Sequence, residues 1–212
     1  MHIGIVILIQ VILLAVQGSS YILIQKFQRK CHQMERKLDK RIPLVSEAVF
    51  LYILWYPLIA VYPVYLYALN WEFYGHYIAA IVIDILVSLL IYVLYPTTFC
   101  RPEAPVQKFS GKILRLLYFA DYKGLNCMPS MHCSQCFIIM LISWSAWSKG
   151  GLPVPAAAAI TILSSAIVLA TALTKQHVVI DILTAVPVGA GAYFLSGFLM
   201  RYLIYDFYFL LN

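Results

Sequence analysis

Residues 76–99 read HYIAAIVIDILVSLLIYVLYPTTF and contain a single charged side chain, that of Asp84. A helix needs about 20 apolar residues to cross the hydrocarbon core of a bilayer. The stretch therefore predicts a membrane-spanning helix. Asp84 lies near its middle, roughly four to five helical turns before Arg101, and so too deep to join a site at that end directly.

Five further apolar runs have a similar length. With 63% hydrophobic and 11% charged residues, the chain also lacks the polar surface of a soluble domain, which has about 25% charged residues. We therefore predict an all-α, polytopic membrane protein with one transmembrane domain over residues 1–212 and six helices. The other spans are expected at roughly 3–25, 44–69, 131–148, 153–174 and 178–200.

Two features refine these spans. The first run lacks a basic segment before it and a small-residue cleavage site after it, so we expect a retained helix rather than a signal peptide. Pro57, Pro63 and Pro187 fall inside predicted spans, where a residue that cannot donate to the helical ladder predicts a kink.

Lysine and arginine are distributed unevenly between the predicted loops. Of the 15, all but Lys149 and Arg201 lie in the loops 26–43, 101–130 and 175–177. Because positively charged loops stay in the cytoplasm, we expect an integral protein of the cell membrane with these loops on the cytoplasmic side. The net charge of +6 does not indicate nucleic acid, since no basic stripe with interleaved aromatic residues occurs.

The long loop contains apolar residues at helical spacing, with basic residues off that line. The pattern predicts a helix, either lying in the membrane interface or packed as an ordinary connector on the helix ends. The apolar residues are Val106, Phe109, Ile113, Leu116 and Ala120, and the basic ones are Lys108, Lys112 and Arg115.

Three polar motifs fall at one face of this topology. Arg-Pro at 101–102 follows the third span, Pro-Ser-Met-His at 129–132 opens the fourth, and Lys-Gln-His at 175–177 with Asp181 opens the sixth. Placing an ionisable group at a membrane edge costs free energy, so such a residue is first considered a functional candidate. Segments this far apart in sequence meet only if the helix ends assemble one site.

Ser130 is suited to cap the fourth helix, whose first free backbone N–H groups then form an anion site. His132 lies beside it and could protonate an oxygen that leaves phosphorus. A capping serine next to an interfacial histidine is the alternative interpretation.

His177 and Asp181 are four residues apart, so on a helix the carboxylate would accept from one imidazole nitrogen and free the other as a nucleophile. A simple surface pair is the alternative. Arg101 and Lys175 could bind phosphate oxygens, or only anchor their helix ends at the headgroups.

A metal site is disfavoured. Cys127, His132, Cys133 and Cys136 are close in sequence, but their spacing fits no usual zinc pattern. We expect the cysteines to be small buried apolar residues rather than a disulfide framework.

The ordered set Arg-Pro, Pro-Ser-x-His and His-x-x-x-Asp on a six-helix chain resembles the type 2 phosphatidic acid phosphatase superfamily, over roughly 95–190. It also resembles the branch with inositol phosphotransferases and sphingolipid synthases. The resemblance implies a phosphohistidine on His177, oriented by Asp181, with His132 as the acid. Arg101, Ser130 and its neighbouring backbone amides would hold the phosphoryl oxygens, without metal or cofactor.

Two positions depart from the superfamily pattern. Leu94 stands where a lysine precedes the arginine, and Thr171 stands where an arginine precedes the nucleophile; Lys175 is the candidate replacement for one of them. We therefore expect a lipid phosphatase acting on a phosphatidic acid, phosphatidylglycerophosphate or polyprenyl type of substrate. A lipid phosphotransferase with an alcohol acceptor and a non-enzymatic lipid-binding or transport protein are the alternatives.

Overall fold

The computed structural model describes residues 3–121 and 124–210, with side chains described as far as 202. Its helices are α1 (Ile3–Phe27), α2 (Lys37–Arg41), α3 (Val49–Ile53), α4 (Trp55–Leu69), α5 (Trp71–Leu94), α6 (Phe109–Ala120), α7 (Met131–Ser148), α8 (Val154–Leu173) and α9 (Val179–Leu210). A 3-10 turn, Ser46–Ala48, leads into α3. Two short strands, β1 (His32–Gln33) and β2 (Thr97–Thr98), pair in parallel.

Within residues 3–121 and 124–210, five helical segments are long and apolar enough to cross a membrane: α1, the segment 46–69 that includes α3 and α4, α5, α8 and α9. The mostly helical, membrane-inserted class predicted from the sequence is thus supported. The predicted fourth span coincides with α7, which has 18 residues but is less apolar because it contains His132, Gln135 and several serines. By length and composition, five of the six predicted spans qualify.

Helix α7 is enclosed by protein, since it packs against α5, α8 and α9. Its contact with α9 is close at Gly189, where an added Cβ would lie 2.7 Å from the carbonyl oxygen of Ser134. Only a residue without a side chain allows the two backbones to approach in this way. Ser134, Gln135 and Ser143 of α7 are fully buried and therefore face neighbouring helices rather than lipid.

The second span is broken rather than gently kinked. Helix α3 ends at Ile53 and α4 begins at Trp55, with Leu54 N donating to Leu51 O at 3.1 Å across a tighter turn. Pro57 explains the position of the break, because its ring displaces the carbonyl four residues earlier, that of Ile53, and it has no N–H to donate. Pro63 and Pro187 lie inside α4 and α9, as predicted.

Helix α1 is attached to the bundle through glutamines. Its apolar side chains are mostly exposed, whereas Gln10, Gln17 and Gln25 are buried. Gln10 Nε2 donates to Ile59 O at 2.9 Å, and Gln17 Oε1 accepts from Gln135 Nε2 at 3.1 Å. Lipid tails are as apolar as leucine, so hydrogen bonds between helices are what fix such a helix in one register.

The loops at one end of the bundle form a packed layer. Met34 is buried with Phe99, Cys127 and Val178, and Thr97 Oγ1 accepts from the backbone N–H groups of Cys127 and Met128, both at 3.1 Å. The basic segment after α1 therefore belongs partly to a small core. This layer holds the three motifs in fixed positions.

Helix α6 confirms the predicted helix in the long loop. Ser110, Gly111 and Leu114 are buried. Ser110 Oγ lies 2.9 Å from Ser46 Oγ at the start of the second span, whereas Gly111 lies against the backbone of Pro105. On the other side, Phe109, Leu116 and Phe119 are largely exposed.

Candidate active site

Ser130 caps α7, as predicted. Its side-chain oxygen accepts from Cys133 N at 3.3 Å, and its own backbone N–H donates to Asp181 O at 3.1 Å. The second bond joins the start of α7 to the first turn of α9. The Pro-Ser-Met-His and His-x-x-x-Asp motifs, which lie almost 50 residues apart, are thus directly connected.

The segment before His177 is shaped by the end of α8. Gln176 N donates to Thr171 O at 2.9 Å, which closes a Schellman turn, and Lys175 takes the left-handed position with φ 52°. Glycine is the usual residue there. Lys175 is held in this conformation by its Nζ, which donates to Asp39 O at 2.7 Å and to Ile42 O at 2.6 Å.

His177 therefore lies in the turn between α8 and α9, not on a helix as the sequence interpretation assumed. The predicted pair with Asp181 still forms, with Nδ1 3.3 Å from Oδ2. Asp181 is fully buried, and its Oδ2 also accepts from Val178 N at 3.0 Å. When Nδ1–H of His177 donates its hydrogen bond to Asp181, Nε2 keeps its lone pair.

Asp39 also stabilises the segment that follows His177, and the sequence interpretation missed it. This buried carboxylate accepts from Val179 N at 2.7 Å through Oδ1 and from Arg36 N at 2.7 Å through Oδ2. It satisfies a free N–H group at the start of α9 from 140 residues away. No local pattern in the sequence indicates that contact.

His132 has aromatic surroundings. Its Nε2 lies 3.0 Å from Tyr52 Oη, and its ring centroid lies 4.2 Å from that of Trp55 and 6.5 Å from that of Tyr56. The ring of His177 is 5.8 Å away, so the structure brings the two predicted catalytic histidines together.

These aromatic residues were also missed. Tyr52, Trp55 and Tyr56 recur at a spacing that places them on one face of a helix just before Pro57, and that spacing is the available signal.

Two cavities meet at His177. The first has a volume of about 390 Å³, a mostly apolar lining that includes both histidines, and walls from α1, α3, α4 and the end of α6. The second, of about 530 Å³, also has a largely apolar lining but differs in its charged rim from the loop layer, which includes Glu35, Lys40, Arg101 and Lys175. We call them the apolar cavity and the polar cavity.

Arg101 borders the polar cavity but is not free. Its Nη1 donates to Asp121 O at 2.9 Å, and its Nη2 forms an ion pair with the Asp121 carboxylate. Its guanidinium carbon also lies over the rings of Phe99 and Tyr118, at 5.4 and 5.1 Å. Burial alone would lower the pKa of Arg101, but Asp121 offsets this and the net shift is upward, so the side chain remains charged.

Leu94 and Thr171, the two positions at which the resembled pattern has a basic residue, have different surroundings. Leu94 is exposed at the end of α5. Thr171 is buried, and its carbonyl oxygen accepts from His177 N at 3.1 Å. Lys175 borders the polar cavity, although its ammonium group is directed at loop carbonyls.

Asp84 lies away from both cavities. It is fully buried in α5 with Ser88 one turn further on, and Ser134 and Gln135 of α7 are adjacent. Asp84 therefore belongs to the helix interior rather than to the histidine site.

No metal centre is found among residues 3–121 and 124–210, where no three His, Cys, Asp or Glu side chains are grouped to hold an ion. Burial raises the pKa of the Cys127 thiol, which donates to Gly124 O at 3.0 Å. All five cysteines are unpaired, and Cys127, Cys133 and Cys136 are buried.

Comparison of the chain with protein-family models, with curated proteins and with solved structures finds no match.

Proposed function

We propose that this protein is a metal-independent membrane phosphatase that removes phosphate from a lipid phosphate or diphosphate through a phosphohistidine. One observation carries the proposal: two imidazole rings lie 5.8 Å apart beside an apolar cavity, and one of them is held by a buried carboxylate. A nucleophile and an acid close together beside an apolar cavity are suited to cleave the phosphate ester of an amphiphile.

The reaction has two steps. Nε2 of His177 attacks phosphorus, the bond from phosphorus to the lipid oxygen breaks, and His132 gives its proton to the departing alcohol. A water molecule then loses a proton to His132 and attacks the phosphohistidine, which releases phosphate and restores His177. Asp181 stabilises the positive charge that His177 carries in the intermediate.

The apolar cavity supports a lipid substrate. Its walls come largely from α1 and from the second span, whose outer faces expose apolar side chains. A chain attached to a phosphate between the histidines would extend along this cavity. Phosphatidic acid, phosphatidylglycerophosphate and polyprenyl phosphates all have this form.

The orientation in the membrane is part of the same proposal. Enclosed as it is, α7 would cross as a sixth span, and the positive-inside rule places the site at the cytoplasmic face of the cell membrane. Helix α6 exposes Phe109, Leu116 and Phe119 beside Lys112 and Arg115, a combination that suits a membrane interface.

A lipid phosphotransferase is the second candidate, and the polar cavity beside His177 favours it. Its volume of about 530 Å³ leaves room for a polar group that stays on phosphorus. In either enzyme the acceptor attacks the phosphohistidine from the side that the first alcohol left, next to His132. That side is mostly apolar, so it fits water or an amphiphilic alcohol better than a free polyol.

Turnover of purified protein tests the proposal. We expect phosphate release from phosphatidic acid, phosphatidylglycerophosphate or polyprenyl diphosphate to persist in excess EDTA. Adding diacylglycerol to a labelled phosphodiester lipid separates transfer from hydrolysis by the product formed. Binding of these lipids without turnover would favour a lipid-binding or transport protein, and activity that is lost in EDTA and restored by a divalent ion would contradict the metal-independent mechanism.

A further inference from the structure

Asp121 accepts hydrogen bonds through both its side chain and its backbone. Its carboxylate pairs with Arg101 and also accepts from Tyr21 Oη at 2.7 Å and from Gln25 Nε2 at 3.2 Å. Its backbone oxygen accepts from Arg101 Nη1 at 2.9 Å. Three segments far apart in sequence, α1, the loop after β2 and the end of α6, thus meet at one carboxylate.

This carboxylate also faces the substrate site. Asp121 borders the apolar cavity together with His132 and His177, and so does Tyr21. Arg101 borders the polar cavity together with His177. The ion pair therefore lies at the junction of the two cavities, where the proposed function places the phosphoryl group.

We infer that the Asp121 carboxylate occupies the position on the Arg101 guanidinium at which the substrate phosphate binds. Phosphate then binds Arg101 only when Asp121 is displaced. The inference rests on the proposed function for the identity of the displacing group. The Asp121 carboxylate contacts Nη2 of Arg101, and a phosphate oxygen would accept from the same N–H group, so the two anions compete for it. Both are anions, and their repulsion disfavours joint occupancy.

The contact with α1 connects displacement to the lipid chain. Tyr21 is one of the two α1 side chains that hold Asp121, and its ring forms part of the apolar cavity wall. A chain that fills the cavity packs against Tyr21 and disturbs this hold. Inorganic phosphate has no chain, so it meets Asp121 still fixed on Arg101. Asp121 thus favours lipid-linked phosphate over the released product.

Asp121→Asn tests the inference with almost no change of shape. The amide oxygen can still accept from Tyr21 and Gln25, but the negative charge of residue 121 that contacts Arg101 is removed. We expect inorganic phosphate, measured by titration calorimetry on the purified full chain, to bind roughly tenfold or more tightly than to the unmodified protein. Glu103→Gln is the matched control: it removes a carboxylate two residues from Arg101 that is exposed to solvent, and phosphate affinity should stay within about twofold.

Unchanged or weaker phosphate binding by a folded Asp121→Asn variant would overturn the inference, because Asp121 would then only position Arg101 for phosphate. If that variant does not fold, the double variant Tyr21→Phe, Gln25→Leu keeps the charge but removes the hold from α1, and it should also bind phosphate more tightly. Equal affinity in the double variant would contradict the inference. Calorimetry needs no turnover, so a protein without phosphatase activity that still shows these shifts would refute the proposed function and leave the inference intact.

Discussion

His177 and His132 face each other, yet their surroundings have little in common. His177 lies in a turn on a fully buried carboxylate, beside the polar cavity. His132 opens a helix and lies among Tyr52, Trp55 and Tyr56. The same side chain therefore lies in two environments, and each suits one of the two roles that we propose. A carboxylate partner aims a lone pair, whereas an aromatic enclosure next to an anion site suits a proton donor that works only when phosphate is bound.

The two histidines are also held by different means. Backbone contacts fix His177: the turn at the end of α8, the two bonds of Lys175 and the carboxylate of Asp39 at the start of α9. Side-chain packing against the broken second span fixes His132. His177, the proposed nucleophile, should therefore tolerate little change in its own segment, and His132, the proposed acid, should respond more gradually to changes in its neighbours.

The largest effect is expected from His177→Ala. Removing the attacking nitrogen should abolish covalent phosphoenzyme and lower lipid phosphatase turnover at least about 10⁴-fold. Acid-quenched protein from labelled substrate measures the first quantity. His32→Ala, in exposed β1, serves as the control and should leave both unchanged. Label that remains on the His177 variant would assign the nucleophile elsewhere.

Asp181→Asn should come next. The amide cannot hold the imidazolium or select the same tautomer, so turnover should fall roughly 10²- to 10⁴-fold. Asp39→Asn changes the other buried carboxylate at the start of α9, which contacts the backbone but no histidine, and should cost less than about tenfold. Equal losses in the two variants, at equal thermal stability, would reduce Asp181 to a structural role.

His132→Ala should distinguish substrates by their leaving groups. A lipid alcohol needs a proton to depart, so its release should slow roughly 10²- to 10⁴-fold, whereas p-nitrophenyl phosphate should lose far less. Comparing kcat/KM for the two substrates isolates the proton-transfer step. Should both fall by the same factor, His132 would be a binding residue and the proposed division between the histidines would fail.

The smallest change is expected from Tyr52→Phe. It removes the hydroxyl 3.0 Å from His132 Nε2 but keeps the ring, and a hydrogen bond of this kind contributes about 0.5–1.5 kcal/mol, or about two- to tenfold in rate. The loss should appear with the lipid substrate and be absent with p-nitrophenyl phosphate. Tyr56→Phe, whose ring meets that of His132 edge-on, is the control and should have no effect. A loss that is the same for both substrates would show that Tyr52 acts on folding.

Much of the helical framework could be predicted from local sequence. The predicted span 131–148 coincides with α7, and 153–174 differs from α8 by one residue at each end. Pro57 indicated a distortion in the second span, although the break occurs at Leu54 because the proline acts on the turn before it. Hydropathy and proline stereochemistry act over a few residues, which is why such features can be read along the chain.

The site was less predictable. Arg101, Ser130, His132, Lys175, His177 and Asp181 were all selected from the sequence, and the structure gathers them at one end of the bundle around the two cavities. The sequence did not indicate which residues contact them. Tyr52 Oη lies at hydrogen-bonding distance from His132, 80 residues further along the chain, and Asp39 accepts from the backbone N–H of Val179, 140 residues further along. Such contacts depend on how helices and loops pack, and no local spacing records them.

The sequence by itself determined the apolar helices and the serine that caps α7, because length, hydropathy and capping chemistry are properties of short segments. It also indicated the pair of His177 and Asp181, although His177 lies in a turn and not on the helix from which that spacing was argued. Only the tertiary structure decided what each cation contacts. Arg101 pairs with Asp121, and Lys175 bonds the carbonyls of Asp39 and Ile42. Electrostatic and hydrogen-bonding energies depend on distance in space, and that distance is set by the packing of segments that the sequence keeps far apart.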